Sequence, residues 1–132
     1  MEKTLLYVFD GSDVIIEGIT SWLSTCRNFE IVATAQSVSA AIRIIQNAKI
    51  EEDQHAIAIT ELSFRKSGEE QNDSGLEILK AIKDSGKNLR SIVFSSLDEG
   101  HNIRKAMSEP YGAKGFVSKT ADKNTFIEAI ES

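Results

Sequence analysis

One cysteine, one proline and two histidines in 132 residues each remove a class of explanation. Cys26 has no second thiol to pair with, so no internal disulfide supports the fold. A lone cysteine among helix-pattern residues reads as a small buried hydrophobe in a reducing compartment. His55 and His101 stand apart, without metal-ligand spacing and without a nucleophile beside either of them. The glycines form neither a Walker sequence nor a GxGxxG turn, and the first strand-to-helix turn, "FDGSD", is too acidic to cradle the phosphate of a flavin. No apolar run is long enough to span a bilayer. The opening "MEKTLLYVFDGSD" lacks both the length and the small-residue cleavage site of a signal peptide, so the expectation is a cytoplasmic chain with no membrane contact. Basic residues form no stripe and the net charge is -5, which argues against direct nucleic-acid contact by this chain.

What is present is ordinary globular material, 41% hydrophobic and 27% charged, enough for one domain over residues 1–132 to bury its apolar surface unaided. Five short apolar runs punctuate it: "TLLYVF" (4–9), "EIVATA" (30–35), "AIAIT" (56–60), "SIVFSS" (91–96) and "GFVS" (115–118). They are too apolar to face water on one side, the pattern of parallel strands covered by helices on both faces. Amphipathic stretches lie between them. Their apolar faces are Val14, Ile15, Ile19, Trp22 and Leu23; Val38, Ala41, Ile42 and Ile45; Leu76, Leu79 and Ile82; Ile103, Ala106 and Met107; and Phe126, Ile127 and Ile130. Pro110 ends the fourth helix. His55 is expected to open strand three and His101 to lie in an exposed turn. The one long connection, "LSFRKSGEEQNDSG" (62–75), reads as a polar loop, with the charge run "EEQND" as a solvated face or a partner contact.

Five βα units of this length predict a flavodoxin-like (βα)5 doubly wound parallel sheet of order 2-1-3-4-5, with its site at the carboxyl ends of the strands. Strand one delivers Asp10 and Gly11 to that rim, strand three Glu61, strand four Ser95 and strand five Lys119. Two acids, a hydroxyl and a lysine therefore converge.

These residues carry a resemblance. "VFDGSDVIIEGI" is similar to the strand-one stretch of the receiver domains of bacterial two-component response regulators, where two aspartates precede His-Pro and a helix with Glu-Gly-Leu. "TELSF" falls on the phosphoacceptor stretch Asp-Leu-Ser-Met-Pro, "DSGLEIL" on Asp-Gly-Leu-Glu-Leu, "VFSS" on the strand-four hydroxyl, and "GAKGFVSK" on Gly-Ala-Arg-Gly-Tyr with its lysine. Thr120 follows Lys119 where a proline would mark the winged-helix relatives, so the chain most resembles the subclass that precedes a LuxR-type helix-turn-helix domain. The resemblance implies a magnesium site on the two strand-one acids, a phosphoaspartate on strand three, a hydroxyl and a lysine that contact its phosphate, and a strand-five aromatic, here Phe116, that turns inward when the hydroxyl moves. Phe116 also reads as plain core.

The chain departs from that pattern at two places. Gly11 replaces the second acid, the more direct metal ligand, leaving Asp10 as a weak residual magnesium ligand and no other cofactor expected. Glu61 replaces the phosphoacceptor. Phosphoryl transfer depends on positioning and on charge neutralisation by the metal. The extra methylene of glutamate advances its oxygen by roughly 1.5 Å, where a misplacement of about 1 Å already costs on the order of a hundredfold in rate. Asp13 either swings back as a substitute ligand or sits in the first turn of its helix, favouring the dipole. Glu61 in turn either imitates the phosphorylated state or forms a structural ion pair with Lys119.

The expectation is a receiver without enzymatic activity or aspartyl phosphorylation, acting on an output such as transcription through a homodimer or a partner regulator. The alternative is a receiver that still catalyses its own phosphorylation with an altered magnesium site. Residue 132 falls where the fifth helix should end, so either a LuxR-type DNA-binding domain belongs after it or the receiver stands alone. Three consecutive apolar residues, Val14, Ile15 and Ile16, cannot all face one core, and Ile16 is expected to point outward as a dimer contact.

Overall fold

The computed structural model describes residues 3–65, 72–96 and 100–131; of Arg65, Asn72 and Asp73 only the backbone is described. The chain order is β1 (Thr4–Phe9), α1 (Asp13–Leu23), β2 (Phe29–Ala35), α2 (Val38–Asn47), β3 (Ala56–Thr60), β4 (Ser63–Arg65), β5 (Asn72–Ser74), α3 (Gly75–Ser85), β6 (Arg90–Ser95), α4 (Gly100–Ala106), β7 (Gly115–Ser118) and α5 (Lys123–Glu131). Five strands make one parallel sheet, β2-β1-β3-β6-β7. Counted within that sheet, the order is the 2-1-3-4-5 expected of a flavodoxin-like fold.

Period-two alternation divides the strand side chains between two cores. Leu6, Val8, Ile57, Ile59, Phe94 and Val117 pack under α1 and α5, with Ile19, Leu23, Phe126 and Ile130. Tyr7, Phe9, Ala56 and Ala58 point the other way, under α2 and α3, where the two alanines leave room for Ile45, Ile78 and Ile82. A third cluster joins Leu62, Leu76, Leu79, Val93 and Ala106 between α3 and α4. The helices start where short polar side chains can cap them. Ser12, Ser37 and Ser74 each accept a backbone N–H of the first turn, and Asp122 accepts that of Thr125 at 2.8 Å. At the far end of α2, the Lys87 ammonium donates to the carbonyls of Ile45, Gln46 and Ala48 at 2.6, 2.9 and 2.7 Å, satisfying orphan acceptors and complementing the helix dipole.

Four local expectations need correction. In α1, Ile19 and Leu23 are the buried residues and set the phase of the helix. Ile15 and Ile16 flank that line and both pack against the core, while Val14 lies roughly 160° away from its centre. The outward apolar residue is therefore Val14, 70% exposed, and not Ile16. Met107, assigned to a core face, lies just beyond α4 and is 43% exposed. His101 lies within α4 and not in a turn. The 62–75 connection is not one continuous loop, because β4 and β5 pair antiparallel at its base, Ser63 with Ser74 and Arg65 with Asn72. Residues 66–71 between them, including most of the "EEQND" run, lie outside the described residues, as do 97–99.

Among the described glycines, the one at the entry to α3 has the tightest surroundings. Gly75 donates its N–H to the Leu62 carbonyl at 2.8 Å. A Cβ on Gly75 would collide with the Glu61 carbonyl oxygen and stand 2.8 Å from the Leu62 Cα, backbone atoms that cannot step aside. Gly11 is different: a Cβ there meets only Phe64 Cδ2 at 3.8 Å and the Gln36 carbonyl at 3.9 Å, ordinary contact distances. Gly75→Ala is accordingly expected to cost about 3 kcal/mol or more in urea unfolding, and Gly11→Ala less than about 1 kcal/mol. Equal costs for the two would contradict the packing at α3.

Candidate functional site

The sheet ladder continues one residue past the strands and sets the site residues side by side. Phe9 pairs with Thr60, and the Glu61 N–H then donates to the Phe9 carbonyl at 2.9 Å. The Asp10 N–H donates to the Ala35 carbonyl at 3.0 Å, and the Lys119 N–H to that of Ser95 at 2.9 Å. Asp10, Glu61, Ser95 and Lys119 thus reach the carboxyl rim of four adjacent strands with their backbones already bonded.

Three of these side chains form one electrostatic unit. Lys119 Nζ stands 2.9 Å from Asp10 Oδ2 and 3.6 Å from Glu61 Oε1. The Asp10 and Glu61 side chains are only 5% and 9% exposed, and Lys119 is 23% exposed. Asp10 is held from its other oxygen, since Oδ1 accepts the Ser12 N–H at 2.9 Å in a turn that leads into the α1 cap. Ser95 is wholly buried. Within the described residues, Asp10 Oδ2, Glu61 Oε2 and Ser95 Oγ close no hydrogen bond of proper geometry, so Lys119 compensates Asp10 by charge and not by an aligned bond.

Burial is the first influence on Glu61 and pushes its carboxyl above the usual range. The Lys119 charge, the Ser95 hydroxyl and the Leu62 N–H draw it down, the Asp10 charge raises it again, and the net direction is upward. Ser95 contributes through its hydroxyl dipole, although within the described residues that hydroxyl closes no hydrogen bond of proper geometry.

Gly11 is exposed beside this unit and offers no side-chain oxygen. Asp13 is the first residue of α1, solvent-exposed and at the positive end of the helix dipole. Phe116 is half-buried and packs against the third cluster. Ile16 is partly buried and packs against the edge of the first core cluster. The residues do not fit a magnesium ion. Asp10 Oδ2 faces an ammonium, Gly11 contributes no ligand, and among the described residues no three His, Cys, Asp or Glu side chains gather as a metal site. Two further residues support the site: Ser12, whose N–H holds Asp10, and Gly75, which bonds the Leu62 carbonyl and leaves space for the Glu61 carbonyl. Their signals in the sequence are the "SD" that follows Gly11 and the glycine that opens α3.

A five-stranded parallel sheet of this order, with two acids, a hydroxyl and a lysine on its carboxyl rim, defines a flavodoxin-like signalling domain. The model of the response regulator receiver domain matches residues 6–131, and the chain belongs to that family. Its fold is similar to a response regulator receiver domain protein from Clostridium thermocellum, at 23% identity and TM-score 0.77 over 97% of this chain and 91% of that one. It is also similar to the signal receiver domain of the response regulator NarL from Mycobacterium tuberculosis, at 21% identity and TM-score 0.74 over 97% and 93%. A third similar structure is a LuxR-family two-component response regulator from Aurantimonas sp. SI85-9A1, at 21% identity and TM-score 0.77 over 99% and 84%. Comparison with curated protein sequences gave no match. No helix among the described residues is long and apolar enough to cross a membrane.

The raised Glu61 carboxyl has a defined consequence for stability. The folded state holds that proton more tightly than the unfolded chain. Its contribution is therefore fully present at low pH and is lost as pH rises from the ordinary glutamate range through the raised folded value. Glu61→Gln removes this loss and leaves Lys119 paired with Asp10. Thermal melts should show the variant matching wild type near pH 4 and exceeding it by roughly 3 °C at pH 7. A variant less stable than wild type at pH 7 would mean that the Glu61–Lys119 attraction outweighs the burial cost.

Proposed function

We propose that this domain is a receiver that signals without aspartyl phosphorylation, as a non-enzymatic interaction module acting on an output such as transcription. The observation that carries this reading is the position of Lys119 between Asp10 and Glu61. The lysine that would neutralise an incoming phosphate is already neutralising two buried carboxylates, the acceptor position holds a longer acid, and Gly11 supplies no metal ligand. Of the two meanings of Glu61, the ion pair is better supported than imitation of a phosphate. One partly compensated carboxylate lacks the nearly double charge of a phosphate, and the Ser95 hydroxyl makes no aligned bond to it.

The test uses acetyl phosphate and beryllofluoride with Mg²⁺, followed by intact mass and backbone NMR. Wild type should take up no phosphoryl group and show no shift at Asp10, Glu61 or Ser95. The double variant Gly11→Asp/Glu61→Asp restores both missing groups at a position with room for a side chain, and it should gain the response. A stoichiometric phosphoryl adduct on wild type would instead establish the alternative, a receiver working with an altered magnesium site.

Output then depends on contacts. The similarity to a LuxR-family regulator supports a LuxR-type DNA-binding domain as the partner, reached through homodimerisation or a partner regulator. This domain does not itself touch nucleic acid. On α1 the better candidate for a homodimer contact is Val14, which is exposed, whereas Ile16 is partly buried against the core. If α1 forms that contact, Val14→Glu should convert a sedimenting dimer to monomer with an unchanged melting temperature, and a wild type that is monomeric at high micromolar concentration would remove α1 from the reading.

A further inference from the structure

A row of four side chains crosses the domain from the acidic rim to the surface where α1 meets α5. Lys119 Nζ stands 6.0 Å from the centre of the Phe94 ring. Phe94, in β6 immediately before Ser95, meets Phe126 of α5 edge to face, with ring centres 5.2 Å apart and planes at 67°. Phe126 in turn meets Trp22 of α1 at 5.4 Å and 53°. The inner rings, Phe94 and Phe126, are 3% and 0% exposed, whereas Lys119 and Trp22 are each partly open to solvent. The row is dry in the middle and accessible at both ends.

The Lys119 end is the one free to move. Its ammonium is seated by charge and not by aligned bonds, 2.9 Å from Asp10 Oδ2 and 3.6 Å from Glu61 Oε1, and within the described residues Asp10 Oδ2 closes no hydrogen bond of proper geometry. Asp10 is fixed from its other oxygen by the Ser12 N–H. A change of charge on the Glu61 side therefore draws the ammonium along the line between the two acids and alters its place over the Phe94 ring. That ring responds because the attraction of a cation for an aromatic face is strongest out of water. An aromatic pair has a preferred relative orientation, set by its negative faces and positive edges, so a turn of Phe94 changes the best position of Phe126 and then of Trp22. An interior packed at crystal density leaves little slack in which such a turn could be lost.

We propose that this row couples the charge balance of the rim to the packing of α1 against α5. The α1 surface is thereby conditioned by the rim, and a contact that displaces Trp22 shifts the Lys119 ammonium in return. Such coupling deepens the function of an interaction module and rests on that reading for the use made of the surface. It does not depend on whether Glu61 accepts phosphate, so a phosphoryl adduct would overturn that reading and leave the row to be judged by its own test.

Trp22 is the one tryptophan of the chain, and its indole N–H resonance reports on the far end of the row. Four 15N-labelled proteins are compared: wild type, Glu61→Gln, Phe94→Leu and the double variant, with melting curves verifying that each is folded and sedimentation that all are the same species. Glu61→Gln removes one charge beside Lys119 and should displace the Trp22 indole resonance. In the Phe94→Leu background the same change should leave it where it was. Should Phe94→Leu not fold, Phe126→Leu breaks the row at its other ring and takes its place in the cycle. A Trp22 resonance unmoved by Glu61→Gln would overturn the coupling. A displacement that persists undiminished once the row is broken would overturn it too, since the signal would then be the direct field of the rim or would travel through the aliphatic core.

Discussion

One ammonium group compensates two buried carboxylates, and the carboxyl rim of the sheet is organised around that ratio. Lys119 reaches Asp10 and Glu61 because the backbone ladder has already placed their strands side by side. Without it, two negative charges would face each other in a nearly dry pocket, a situation that typically costs several kcal/mol per unpaired ion. The compensation is incomplete. Glu61 still holds its proton more tightly than a glutamate in water, and among the described residues one buried oxygen on each acid lacks an aligned donor. The pocket is therefore electrostatically poor in donors, and the surrounding hydrophobic clusters, not the ion pairs, must hold the domain together.

The same ratio underlies the proposal that this member of the receiver family signals without aspartyl phosphorylation. A phosphoryl group needs hard ligands for a metal and a short carboxylate at the right distance. This rim has kept the hydroxyl and the lysine while losing one ligand and lengthening the acceptor. In the proposed mode the rim is a closed electrostatic circuit, and the surfaces of the domain are where information would pass.

Most of the fold was legible because parallel strands buried on both faces produce unmistakable apolar runs, and because strand ends in such a sheet converge on one rim. That logic located Asp10, Glu61, Ser95 and Lys119 together. Finer features were hidden for physical reasons. Val14, Ile15 and Ile16 are equally apolar, so their identity cannot set the phase of α1; Ile19 and Leu23 do, being the residues that reach the sheet. Ile78 was overlooked because α3 contacts two clusters and buries a wider arc than a one-sided helix. The β4–β5 pairing is carried by backbone groups in a polar stretch with no strand-like composition. The Lys87 clamp joins residues about forty positions apart, a separation at which local pattern has nothing to say.

Gly75 gives the architecture an asymmetric tolerance to sequence drift. The acids on the rim can be exchanged so long as their charge is balanced, since no reaction in this reading depends on their oxygens. The glycine has no such latitude, because its hydrogen atom occupies the gap between the start of α3 and the backbone of Glu61 and Leu62. A lineage that abandons the phosphorylation chemistry while keeping the fold would thus be expected to erase the signature of the acceptor and retain the glycine fourteen residues behind it. The spacer serves the fold whatever chemistry the rim performs.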